Sequence, residues 1–415
     1  MTELGVSDVL HRTLGSGVEL GVLPLADRRV MAVEIRIRTG MADEPADKLG
    51  IARILEDTID KGTEQRDGRG LSDAFDALGT MRNSWAARES TGFTFTCLPE
   101  FFDQSLALMA EFIRTPTFPK DAVEVAVELT RQEHKTLEDD PQSLCDKILS
   151  KQAYGSLLGR HSLGEEDTVS SITNEDVRAH WQRTFGAGRM QVTVAGPVSP
   201  ADVELQIDRH FGGFGSPDRA GATPFKVEFD ARKTHHQKET AQQQIGIAYP
   251  GVALIDDEYP IERVMLNVLS GGMSSRLFTE VREKRGLVYY VSAWHEHPRG
   301  AGMIFLGASS TPERCAETYR TLLQEIDRLA DDLTQEEVDR AVAGIVARTE
   351  TREDRTRAKC GELADDLFHY GRPIATEEKL AKVKAVQVAD IEKYLAEHSR
   401  DQLSVVTLGP MPLEA

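Results

Sequence analysis

Apolar and polar residues alternate along Met31–Arg38. Met31, Val33, Ile35 and Ile37 fall on one side, and Ala32, Glu34, Arg36 and Arg38 on the other. A period of two predicts a half-buried strand. Thr91-Gly92-Phe93-Thr94-Phe95-Thr96-Cys97 reads as a second strand, rich in β-branched and aromatic residues. The period changes elsewhere. Leu106, Met109, Phe112 and Ile113 recur at helical spacing. Ile51, Leu55 and Ile59 mark one face of an amphipathic helix expected between Gly50 and Gly62. Thr334-Gln335-Glu336-Glu337 is a capping box and predicts the start of a long helix. Strands come in hairpins with helices between them, so the expected class is α+β, each domain an antiparallel-rich sheet with helices packed on one face. Such a sheet leaves an edge to which an extended peptide can add as a strand.

The chain says nearly the same thing twice. Met190-Gln191-Val192-Thr193-Val194-Ala195-Gly196-Pro197 and Leu403-Ser404-Val405-Val406-Thr407-Leu408-Gly409-Pro410 are both strand-like runs ending in Gly-Pro. Each follows a short amphipathic helix, opened by Asn174-Glu175-Asp176-Val177 in one case and Val388-Ala389-Asp390-Ile391 in the other. Tyr154-Gly155 and Tyr370-Gly371 keep nearly the same offset, as do Cys145 and Cys360. Three landmarks in one order predict two similar domains from an internal duplication. The Gly- and Pro-rich stretch Phe211–Pro224 lacks any period and suits a connector. The expected division is a domain over 1–215, a linker over 216–232 and a domain over 233–415.

Composition narrows the function. The net charge of −19 excludes a phosphate-neutralising nucleic-acid binder and disfavours docking on anionic lipid. The acidic residues are spread along the chain, as a solvated surface requires. Cys97, Cys145, Cys315 and Cys360 show no metal-motif spacing and are too sparse for a disulfide framework, which predicts buried thiols. No basic and apolar leader opens the sequence and no run of about 18 apolar residues occurs, so a cytoplasmic protein is expected. No Gly-rich phosphate loop, Gly-x-Ser-x-Gly elbow or Cys–His nucleophile motif is found.

One segment is more specific. Gly271-Gly272-Met273-Ser274-Ser275-Arg276-Leu277-Phe278, continuing to Val281-Arg282-Glu283-Lys284-Arg285-Gly286-Leu287-Val288-Tyr289-Tyr290-Val291, closely resembles a motif of the second domain in the pitrilysin/insulinase family of zinc peptidases, the inverzincin group. The resemblance implies two similar α+β domains forming half of a clamshell. It also implies that Arg282 and Tyr289 reach the scissile peptide opposite the zinc. A phenol and a guanidinium there can stabilise a carbonyl oxygen as it gains charge. Asn83, in Gly79-Thr80-Met81-Arg82-Asn83-Ser84-Trp85-Ala86, matches a family Asn that holds substrate backbone from an edge strand, although a plain turn residue fits equally well.

The first half of the resemblance is degenerate. Where the family has His-x-x-Glu-His, this chain has Arg53-Ile54-Leu55-Glu56-Asp57. A zinc helix needs two neutral imidazoles at that spacing, whereas a guanidinium has no lone pair to offer. Glu56 matches the family's water-activating base. An ungapped count back from Glu138-Asp139-Asp140-Pro141 places the family's third ligand at Glu128. The expectation is that Arg53 occupies the place of the metal's charge and pairs with Asp57 and Glu128. No metal or other cofactor is then expected on this chain, with zinc carried by the partner.

His295 and His297 share one face of an expected strand, but a metal site there needs a third ligand that the sequence does not locate, so they read as an incidental surface pair. His235-His236 reads as loop. The split motif set implies a non-catalytic subunit that pairs with a zinc-bearing homologue of similar length and acts on peptide substrates. Self-association into a homodimer stays open. Two other classes also stay open. One is a non-enzymatic peptide-binding or scaffold protein. The other is an active metallopeptidase using Glu56, Asp57 and Glu128.

Overall fold

The alternating runs do form strands, and they collect into two sheets in a computed structural model that describes residues 9–215 and 224–413. The first sheet holds β1 (Leu10–Thr13), β2 (Glu19–Pro24), β3 (Met31–Ile37), β4 (Met81–Ala86), β5 (Thr91–Cys97) and β6 (Met190–Gly196), in the order β1-β2-β6-β3-β5-β4. The second holds β7 (Lys233–Gln237), β8 (Gln243–Gly251), β9 (Val288–Glu296), β10 (Gly302–Ser310) and β11 (Ser404–Gly409), in the order β7-β11-β8-β10-β9. Leaving out β1, the two orders are the same. In each sheet one pair is parallel, β2 with β6 and β7 with β11, and the rest are antiparallel. The expected α+β class and the two antiparallel-rich sheets are both present.

The helices repeat as well. Ile51–Thr58 lies between β3 and β4, and Tyr259–Ser270 between β8 and β9. Three helices follow β5 (Phe102–Arg114, Lys120–Asp139, Pro141–Leu158), and three follow β10 (Cys315–Asp331, Gln335–Glu353, Thr356–Tyr370). The capping box at Thr334 forms as expected: its hydroxyl and its N–H both donate to Glu337 Oε2, at 2.9 and 3.0 Å. Apolar residues of the β3 alternation pack with Leu106, Met109, Phe112 and Ile113 in the first core. A separate core gathers Ile245, Ile247, Leu266, Leu306 and Leu322.

The two compact units do not follow the order of the chain. One comprises residues 1–135, 160–224 and 352–375, and the other 136–159, 225–351 and 376–415. The expected contiguous domains, 1–215 and 233–415, are therefore corrected: each repeat gives its third post-hairpin helix to the other repeat's sheet. Hydrophobic periodicity shows that a helix buries a face, not which sheet it buries that face against. Of the expected linker 216–232, residues 216–223 lie outside the described residues, and 224–232 carry no helix or strand.

In the first unit, helix Thr356–Tyr370 covers the second face of the sheet. The Cys360 thiol donates to the Thr193 carbonyl at 3.3 Å, and Gln191 Nε2 donates to Ala364 O at 2.8 Å. Gly21 of β2 permits this approach, since a Cβ there would lie 2.7 Å from Leu367 Cδ1. In the second unit, helix Pro141–Leu158 does the same. The Cys145 thiol faces the Val406 carbonyl at 3.8 Å, and Gln152 Nε2 donates to Ser404 Oγ at 2.9 Å. Every residue of β3 is consequently buried, not half of them. Its polar positions survive burial because they are paired. Arg36 Nη2 donates to Glu34 Oε1 at 2.6 Å and to Asp365 Oδ1 at 2.8 Å, and Arg357 Nη1 donates to Glu34 Oε2 at 2.9 Å.

Helix Ile51–Thr58 starts sharply. Its N-cap Gly50 has φ +95°, which favours glycine, and the helix is shorter than the Gly50–Gly62 span expected. Glu44 Oε1 accepts the Ala52 N–H at 3.0 Å and so caps the first turn. Glu44 is buried, and its Oε2 has no hydrogen-bond partner. Burial pushes its carboxyl up to about 7 despite the opposing backbone N–H donors and Arg160. A raised folded-state value means that the stabilisation is full below the unfolded value of about 4.5 and lost as pH rises towards 7. Glu44→Gln stays neutral throughout. Parallel denaturant titrations will show the wild type losing stability relative to Glu44→Gln between about pH 4.5 and 7, by at most about 1.4 kcal/mol per pH unit, with a flat difference above.

Candidate active site and the arrangement of the two motifs

Arg53, Glu56 and Asp57 emerge half-buried from helix Ile51–Thr58, which packs beside β4. Arg53 Nε donates to Asp57 Oδ2 at 3.0 Å, one turn along the helix. Its Nη2 donates to Glu133 Oε1 at 3.1 Å, reaching helix Lys120–Asp139. Burial works to lower the Arg53 value, but Asp57 and Glu133 outweigh it and the guanidinium is held above its ordinary range. Side-chain exposures of 30%, 36% and 45% limit each ion pair to about 1 kcal/mol or less.

The second carboxylate is therefore Glu133, not Glu128. Glu128 is exposed and accepts from Arg131 Nη1 at 3.1 Å on its own helix. The two positions differ by five residues, a rotation of about 140° beyond a full turn, so they face different sides of the helix. An ungapped count cannot feel that rotation. The signal that finds Glu133 is the helical phase relative to the buried Val123, Ala126 and Thr130.

Glu56 accepts a hydrogen bond from the Ser84 hydroxyl on β4. Burial raises the Glu56 carboxyl above its ordinary value, opposed by that bond. Asn83 is the exposed neighbour of Ser84, and β4 is the edge of its sheet, so the strand's outer side is unpaired. Within this unit the structure brings together Arg53, Glu56, Asp57, Glu133 and the β4 edge, and leaves Glu128 out.

The second motif is built on a bend. Arg276 is nearly buried and clamped: its Nε and Nη2 donate to the two oxygens of Glu337 at 2.7 and 2.8 Å, and Nη1 donates to Asp332 at 2.6 Å. Leu277–Lys284 then forms a π-helical segment with Leu277 and Val281 buried. Gly286, at φ +59°, turns the chain into β9, and Arg314 Nη1 fixes the Gly286 carbonyl at 2.6 Å. The result brings Arg282 and Tyr289 side by side. The Arg282 guanidinium lies 4.9 Å from the Phe278 ring centre and 5.4 Å from that of Tyr289, within cation–π range. Tyr289 is 78% exposed, on an edge strand equivalent to β4.

Two models of one peptidase family match successive parts of this chain. The model described as Insulinase (Peptidase family M16) matches residues 25–166, and that described as Peptidase M16 inactive domain matches residues 171–345. The chain belongs to the M16 (insulinase) peptidase family. Relatives within it include an "Uncharacterized zinc protease" of Bacillus subtilis, 25% identical over 92% of this chain and 93% of its own length. Another, of Streptomyces coelicolor, is 26% identical over 99% and 91%. A solved structure described as a peptidase M16 inactive domain from Pseudomonas fluorescens superposes with a TM-score of 0.90 at 19% identity, covering 98% of this chain and 100% of that one. A protease from Helicobacter pylori gives 0.89 at 20% identity, covering 97% and 99%.

The zinc implied by the M16 family does not fit the residues at the family's zinc helix. No imidazole is present there, Asp57 and Glu133 are both committed to the Arg53 guanidinium, and Glu56 is held by the Ser84 hydroxyl. The cation between them is a side chain of the protein.

His295 and His297 are not a surface pair. His295 Nδ1 lies 3.1 Å from Oε1 of Glu262, and His297 Nε2 lies 3.6 Å from the same atom. Glu262, on helix Tyr259–Ser270, is 0% exposed. It is the third donor that the sequence could not locate, because it comes from another element. Burial alone would raise the Glu262 carboxyl. Hydrogen bonds from the His295 imidazole, the Tyr394 hydroxyl and the Val252 N–H, with the His297 ring nearby, hold it down at about 2.

The geometry of the degenerate helix gives a direct test. Arg53→His with Asp57→His will bind one zinc more than the parent chain, with Glu133 as third ligand. Elemental mass spectrometry and zinc titration will show at least a tenfold loss of that added affinity on Glu133→Gln and no change on Glu128→Gln.

Proposed function

We propose that this M16 chain is the non-catalytic subunit of a heterodimeric peptidase. It supplies Arg282 and Tyr289 to the zinc site of a homologous partner of similar length and helps enclose the peptide. The observation that carries this reading is the contrast between the two motifs. Arg282 and Tyr289 are exposed, adjacent and carried by a bend anchored at Arg276 and Gly286, yet Arg53 fills the place where this chain would hold its own metal. A guanidinium and a phenol stabilise a developing oxyanion only where a nucleophile attacks the same carbonyl. The nucleophile, a zinc-activated water, is then the partner's. The chain's own share is positioning and charge stabilisation. Glu56 has no metal-bound water to deprotonate here.

A second reading, peptide binding without chemistry, draws on the unpaired outer sides of β4 and β9, where an extended peptide can add as a strand. An active enzyme using Glu56, Asp57 and Glu128 has no observation behind it, since Glu128 points away and Asp57 is bound to Arg53. Among the described residues no helix is long and apolar enough to cross a membrane.

The test is peptidase activity of the complex with a His-x-x-Glu-His homologue. Arg282→Ala and Tyr289→Phe are expected to lower kcat by about 10²–10³-fold with unchanged melting temperature, because both side chains are exposed. Full activity of the partner without this chain, or with both variants, rejects the subunit reading.

A further inference from the structure

We infer that Glu262, His295 and His297 form a binding site for a zinc-class transition-metal dication, separate in the chain from the family's zinc helix. Each of the three residues offers one donor atom, and these atoms all lie within 4.8 Å of one another. An ion with tetrahedral bonds of about 2.0–2.1 Å separates neighbouring ligand atoms by about 3.3–3.4 Å. The two edges from Glu262 Oε1, 3.1 Å to His295 Nδ1 and 3.6 Å to His297 Nε2, bracket that span.

A second, independent observation points to a ligand. His297 has a side chain only 10% exposed, and its Nε2 is buried with no hydrogen-bond partner. At 3.6 Å from Glu262 Oε1 it is too far for a hydrogen bond, and leaving such an atom unsatisfied costs about 1–3 kcal/mol. A metal bound by that nitrogen removes the penalty.

The surroundings are those of a supported ligand set. The other carboxylate oxygen, Oε2, turns away and accepts the Tyr394 hydroxyl at 2.7 Å and the Val252 N–H at 2.8 Å, which fixes the direction in which Oε1 points. Gly251 lets the backbone close on that oxygen, because a Cβ there would meet it at 2.5 Å. The Tyr259 ring stacks on His295, with centroids 5.4 Å apart, and meets His297 edge-on at 4.9 Å, so both imidazoles are held in orientation. Two imidazoles and one carboxylate suit zinc or a similar borderline dication. Magnesium and calcium prefer all-oxygen sets. The ion ties helix Tyr259–Ser270 to the end of β9, the strand whose beginning carries Tyr289. Its role is to stiffen the element that presents Tyr289.

The experiment uses the full chain, stripped with a chelator and titrated with zinc chloride. About one equivalent is expected in the wild type and in an Asp57→Asn, Glu133→Gln control, with loss of uptake in His295→Ala, His297→Ala. Tyr394→Phe should weaken binding about 10–100-fold. Zinc-edge X-ray absorption of the loaded wild type should show two imidazole nitrogens at about 2.0–2.1 Å, which keeps the idea testable if the double-alanine variant fails to fold. No uptake by the wild type, zinc retained undiminished by a folded double-alanine variant, or no imidazole scattering overturns the proposal. Uptake lost in the Asp57, Glu133 control places the metal at the first motif, and overturns both this proposal and the disarmed-helix reading.

Discussion

Each sheet buries its second face only because a helix from the other repeat lies on it, and the charged residues of β3 show what that burial demands. Glu34 and Arg36 would face water in a sheet covered on one side. Under helix Thr356–Tyr370 they are desolvated, so each must find a partner, and Asp365 and Arg357 from that helix provide them. A buried network of this kind adds little net stability over an apolar replacement, but losing one member leaves a charge stranded. It therefore fixes the register of the helix on the sheet. The matched contacts, Cys360 on Thr193 and Cys145 on Val406, show the same solution used twice.

On that frame the two repeats have diverged in their edges. The helix beside β4 carries Glu56 and Asp57 and places the Arg53 guanidinium between Asp57 and Glu133. The equivalent helix beside β9, Tyr259–Ser270, carries Glu262 under two histidines. The second repeat also keeps the clamped bend at Arg276, whose bidentate pair with Glu337 uses the carboxylate that caps the helix at Thr334. One carboxylate thus sets a helix start and anchors the bend that presents Arg282.

Much of this was legible in the sequence because it rests on local spacing. Arg53 and Asp57 one turn apart, the strand alternation, the Thr334 capping box and the Gly271–Val291 motif are all short-range patterns. Arg282 and Tyr289 meet because a seven-residue bend brings them together. What was not legible depends on phase or on tertiary contact. Glu133 in place of Glu128 is a matter of helix rotation that a linear count does not feel. Glu262 lies on a different element from His295 and His297, and nothing in the spacing announces it. The exchange of helices escaped for the same reason, since an amphipathic stripe carries no address.

That exchange also sets an order of events on the ribosome. β6 is complete by residue 196, yet the helix that covers the second face of its sheet ends at residue 370. The first unit cannot close while most of the second is still being synthesised, so the second face of its sheet stays uncovered from residue 196 to residue 370. Contacts this distant in sequence slow folding through the entropy of closing large loops. The N-terminal repeat thus emerges first but cannot finish until the helix ending at residue 370 has been made, and until then a sheet face stands open to wrong partners.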